Sequence, residues 1–94
     1  MMNKYDSKAK KVDLYEIGQG LTMMNICTFN SEGALERVDT YIGIEGNGFT
    51  QVGVTEDLSA PGVFFRYADY VNVQRANIKV LIDIFYTNTG MSKP

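Results

Sequence analysis

From Val12 onward, turn signals recur about every ten residues, and the intervals between them are β-rich. That spacing points to short antiparallel strands. Strands are expected near 12–17, 21–29, 35–45, 49–54, 63–73 and 78–87. Their connections would be Gly18-Gln19-Gly20, Asn30-Ser31-Glu32-Gly33, Gly46-Asn47-Gly48, the longer 55–62, and 74–77. The expected fold is therefore all-β, a single antiparallel meander, small barrel or sandwich of about six strands. No internal repeat or low-complexity segment is visible.

The 94 residues suit one domain. Residues 1–11 hold Lys4, Lys8, Lys10 and Lys11 against Asp6 and read as a basic N-terminal tail, with the β domain over 12–90 and a C-terminal tail over 91–94. Residues 12–90 carry four basic side chains against ten acidic ones, a balance near −6 that repels polyanions unless the basic residues cluster.

One hairpin permits a register argument. A three-residue loop Gly46-Asn47-Gly48, with Gly48 left-handed, sets Glu45 opposite Phe49, Ile44 opposite Thr50, Ile42 opposite Val52 and Thr40 opposite Val54. One face then carries Val38, Thr40, Ile42, Ile44, Thr50, Val52 and Val54, and the other Asp39, Tyr41, Glu45, Phe49 and Gln51. A two-residue Asn-Gly loop would mix the faces, so burial selects the longer loop.

The last expected strand is apolar on both sides. Ile78, Val80, Ile82, Ile84 and Tyr86 alternate on one face, Leu81 and Phe85 on the other, with Asp83 between them. Such a strand sits between two layers or is covered by another chain. Segment 58–77 has a second reading. As a strand, Val63, Phe65, Tyr67, Val71 and Val73 share a face with Asp69; as a helix, Phe64, Tyr67, Ala68 and Val71 form a stripe behind Ser59. The alternative fold is thus α+β with one helix near 60–75.

Catalysis is disfavoured. The chain has no histidine, the side chain that titrates near neutral pH unaided. Asp83, among apolar neighbours, is the most notable acid, and a paired or exposed structural role explains it. Cys27 lies between Ile26 and Thr28 and reads as a small buried hydrophobe. Gly18-Gln19-Gly20 lacks the third glycine of a dinucleotide fingerprint, because position 23 is Met23. No metal or cofactor motif is present. The polar opening Met1-Met2-Asn3-Lys4-Tyr5-Asp6 does not read as a secretory leader, and with the lone cysteine it suggests a cytoplasmic protein with no membrane partner.

Binding is the remaining class. Phe64, Phe65, Tyr67, Tyr70, Ile82 and Phe85 offer more apolar surface than one small sheet hides, which suggests an acidic protein-binding module that associates with itself as a homodimer or higher oligomer. The acids Glu32, Glu36, Asp39 and Glu45, on or near one hairpin, could instead meet a basic partner. The alternative is a single-stranded nucleic-acid binder using Phe64, Phe65, Arg66, Tyr67, Arg75 and Lys79, with Asp69 and the acidic balance against it.

Overall fold

The computed structural model describes residues 9–44, 46–60 and 66–91. Four strands, β1 (Lys10–Gly18), β2 (Leu21–Phe29), β3 (Leu35–Ile44) and β4 (Phe49–Thr55), form one antiparallel meander in the order β1-β2-β3-β4. Two helices follow, α1 (Tyr67–Ala76) and α2 (Ile78–Thr89). The first four expected strands are present, and β1 begins inside the segment read as a tail, taking in Lys10 and Lys11. The sheet is not a closed barrel and has four strands rather than six. Of the expected fifth strand, 67–73 is helical while 63–65 lies outside the described residues. The expected sixth strand is α2.

The reason for the last correction is that segment 78–89 fits both periods. Seven of the nine positions over 78–86 are apolar, so an alternating set and a helical set coexist. The helical set is Ile78, Leu81, Ile82, Phe85 and Tyr86, and it packs on the sheet. Ile82, Phe85 and Tyr86 are buried, while Asp83 is exposed on the opposite side. Gly90 closes the helix in the left-handed region at φ 70°, and its N–H donates to the Tyr86 carbonyl at 3.0 Å.

The β3–β4 register also departs from expectation. Gly43 pairs with Phe49, Ile42 with Thr50 and Tyr41 with Gln51, a slip of two residues that preserves the faces. Gly48 is left-handed as expected, at φ 74°, while the pairing assigned to Glu45 falls outside the described residues. Beyond Gln51 the pairing resumes as Thr40 with Gly53 and Val38 with Thr55, leaving Val52 as a bulge. Val54 therefore pairs with Asp39 and sits on the face away from the helices, not beside Val52.

Both helices cover the same face. Leu21, Met23, Ile42 and Val52 pack with Ile82, Phe85 and Tyr86 of α2. A second apolar cluster, Cys27, Leu35, Val38 and Leu58, packs with Phe29, Tyr67 and Tyr70. The molecule's smallest extent is 19 Å, the depth of one sheet and one helical layer.

Two glycines of the sheet should respond oppositely to alanine. A Cβ on Gly43 would lie 2.5 Å from the Gly48 carbonyl and 2.8 Å from the Phe49 ring. Gly53 has no heavy atom within 4 Å of that position. Gly43→Ala should lower stability by about 1–3 kcal/mol and Gly53→Ala should change it by less than about 0.5 kcal/mol, read as urea midpoints at constant slope.

Candidate interaction face and the polar layer behind it

Between the two apolar clusters runs a polar row. Asp13, Asn25, Thr40 and Gly53 are neighbours across β1, β2, β3 and β4, and α1 lies over them. Its sheet-facing stripe is Tyr67, Tyr70 and Gln74, spaced three and four residues apart. Asn25 and Gln74 form a reciprocal amide pair. Asn25 Nδ2 donates to Gln74 Oε1 at 2.8 Å, and Gln74 Nε2 donates to Asn25 Oδ1 at 2.9 Å. Thr40 Oγ1 donates to Asn25 Oδ1 at 2.9 Å and lies 3.0 Å from Gln74 Nε2, which donates to it. The Tyr15 hydroxyl donates to Gln74 Oε1.

Tyr67 extends the network to the edge of the sheet. Its hydroxyl donates to Asp13 Oδ2 at 2.6 Å and accepts from Asn25 Nδ2 at 3.1 Å. Tyr70 and Thr55 are linked hydroxyl to hydroxyl at 3.2 Å. Through these side chains α1 is tied to all four strands. Among the described residues every buried side-chain nitrogen and oxygen is satisfied, which a buried polar layer requires to avoid a desolvation penalty. A cavity of about 290 Å³ opens over Gly53, between Thr40, Tyr70, Gln74 and Leu81.

Tyr15, Tyr67 and Cys27 in this layer are held neutral. Burial pushes the Tyr67 hydroxyl up, and the bond it donates to Asp13 adds to the effect. Burial raises Tyr15 as well. The fully buried Cys27 thiol is pushed up to about 11, first by burial and then by the negative charge of Asp13. A thiol so placed is a poor nucleophile.

The other face of the sheet has no described element on it. Strand pairing arranges it in four rows: Lys10–Thr28–Arg37, Val12–Ile26–Asp39–Val54, Leu14–Met24–Tyr41–Gln51 and Glu16–Thr22–Gly43–Phe49. Val12 and Leu14 are each 56% exposed, Val54 50% and Phe49 45%. Arg37 is paired with Asp39 at 3.0 Å and with Glu56. Lys10 and Glu16, at opposite ends of β1, are both exposed and make no ion pair with a described residue.

The residues singled out from sequence do not gather on this face. Phe64 and Phe65 lie outside the described residues. Tyr67 and Tyr70 belong to the polar layer, and Ile82 and Phe85 to the core. Arg66 stands at the start of α1, 3.4 Å from Asp69, whereas Arg75 lies near its end with the guanidinium 5.7 Å from the centre of the Tyr15 ring. Nine residues of helix separate the two arginines by about 13 Å. Lys79 is exposed in the first turn of α2. Missed entirely were Val12, Leu14 and Val54 as exposed sheet residues and Gln74 as a buried one. The signal for the first two was present: Val12 and Leu14 alternate with Asp13 and Tyr15, whose side chains face α1.

No described helix is long and apolar enough to cross a membrane, and no group of three or more His, Cys, Asp or Glu among the described residues could hold a metal ion. No protein-family model, curated protein or solved structure matches the chain.

Truncating either amide should be costly. Gln74→Ala leaves Asn25 and Thr40 without their partner, and the expected loss is about 2–4 kcal/mol in urea unfolding. Asn25→Ala should cost a similar amount, and the double variant should cost less than the sum by about 1–2 kcal/mol because the second truncation removes a group already orphaned. Strict additivity would show that the amides act independently.

A second expectation concerns alkaline pH. The folded state keeps the Cys27 proton up to about 11, against 9.0 for an ordinary thiol. The folded form thus binds the extra proton between these values, so this contribution is intact below pH 9 and is lost as pH rises toward 11. Urea midpoints should fall across that window. Cys27→Val should flatten the fall, and an unchanged slope would assign it elsewhere.

Proposed function

We propose that this chain is a small non-enzymatic protein-binding module that docks through the open face of its sheet. The observation that carries the reading is the exposure of Val12 and Leu14 on β1 and of Phe49 and Val54 on β4, all on a face of the sheet that no described element covers. Contiguous apolar patches of this kind mark interaction sites on small proteins, and a sheet exposed on one side ordinarily alternates polar residues there. Met24, Ile26 and Tyr41 fill the spaces between the exposed side chains. The acidic balance near −6 over residues 12–90 and the separation of Arg66 from Arg75 favour a protein partner over a nucleic acid. Neutral tyrosines and a neutral thiol behind the sheet support a structural rather than a catalytic role. The buried free thiol of Cys27 agrees with a reducing, cytoplasmic setting.

Site-specific photo-crosslinking in cells that make the protein tests the reading. A photoreactive phenylalanine analogue at position 14 or 49 should give discrete adducts with a protein, of this chain or another. The same group at Val80, exposed on α2, should not. Adducts at position 80 alone would place the docking surface on the helices and overturn the reading.

A further inference from the structure

The occupant of the open face can be argued from its charges and dimensions, given the reading above on which this step rests. We propose that it is a second copy of this chain, stacked face to face about a two-fold axis that lies in the plane between the sheets and runs across the strands. This operation lays β1 over the partner's β1 with the chain direction reversed.

Three observations support it. The first is electrostatic. Along β1 the outward residues read Lys10, Val12, Leu14, Glu16, a cation and an anion flanking two apolar side chains. Reversing one copy on the other brings each Lys10 over the opposite Glu16, twice by symmetry, and each Val12 over the opposite Leu14. Neither Lys10 nor Glu16 has an ion pair among the described residues to give up.

The second is the pattern of the interior. The row Val12–Ile26–Asp39–Val54 would meet Leu14–Met24–Tyr41–Gln51, so apolar side chains meet across the axis on β1 and β2. Asp39 enters with its Arg37 partner already in place at 3.0 Å, so no unpaired charge is brought to the centre.

The third is size. Nine residues of strand span about 30 Å and four strands about 19 Å, a face of roughly 570 Å² in projection before side-chain relief is counted. Standard interfaces bury about 800 Å² per partner, so the whole face is of the right order for a stable pair and a fraction of it is not. Stacked sheets pack about 10 Å apart, with side chains from the two faces interdigitating. The net charge of −2 on each chain opposes association weakly, because charges beyond about 8 Å are screened at physiological salt.

Light scattering of the purified full chain across a concentration series tests the pairing. The wild type should approach twice 10.5 kDa. Leu14→Glu should give a monomer with unchanged circular dichroism. Glu16→Lys and Lys10→Glu should each weaken the dimer by about tenfold or more, since each places like charges together at both ends. The double variant Lys10→Glu/Glu16→Lys restores opposite signs and should recover affinity to within about threefold of wild type.

A wild type that stays monomeric at millimolar concentration overturns the inference. If adducts at position 14 then join another protein, the binding-face reading survives with a different partner. If they join residues 1–8 of the same chain, it does not. A dimer that persists in Leu14→Glu forms elsewhere and overturns this pairing; the binding-face reading then falls as well only if position 14 gives no adduct with another protein. A dimer lost in Leu14→Glu but not rescued by the double charge swap refutes this two-fold while leaving the face intact.

Discussion

The reciprocal amide pair between Asn25 and Gln74 is the interaction on which the arrangement of the helical layer depends. Asn25 is fully buried at the centre of the sheet and Gln74 is nearly so on α1. Each is the other's donor and acceptor, and Thr40, Tyr15 and Tyr67 complete their valences. Apolar contacts alone would allow a short helix to slide on a sheet at little cost. An amide pair does not, because a shift of one residue orphans four polar atoms in a medium that cannot solvate them. The layer thus fixes the register of α1 and, through the single residue Asn77 between them, where α2 begins.

With both helices placed on one side, the sheet is left two-faced. Its inner face is divided into two apolar clusters by the polar row. Its outer face carries apolar side chains along β1 and β2, charges at the ends of β1 and the Arg37–Asp39 pair on β3. The ion pairs of Arg37 with Asp39 and Glu56 bind β3 to the segment after β4 on that same outer side. Exposed pairs contribute little to stability. Here they tie down charges that would otherwise compete with apolar contact across the face.

The strands were legible because alternation and turns carry the same message. β2 runs over the residues expected of it, 21–29, and its buried positions Leu21, Met23, Asn25 and Cys27 keep the two-residue period, with Thr28 the one buried residue out of step. The helices were less legible for opposite reasons. In α2 seven of the nine positions over 78–86 are apolar, so no single period stands out, and β-branched Ile78, Val80, Ile82 and Ile84 mimic a strand. In α1 the buried stripe is Tyr67, Tyr70 and Gln74, which a search for apolar periodicity passes over. The open face was hidden by a global fact rather than a local one. Which side of a sheet is covered depends on where the helices fall, and no single strand encodes that.

The bulge at Val52 links the two sides of the molecule. Strict alternation after Gln51 would send Val54 inward and Thr55 outward. One unpaired residue reverses both assignments, giving Tyr70 a hydroxyl to meet on β4 and giving the outer face a valine opposite Asp39. A single added backbone unit therefore acts as a parity switch. The strand that completes the anchoring of α1 and the strand that completes the outer apolar surface are the same seven residues, and neither property could drift without the other.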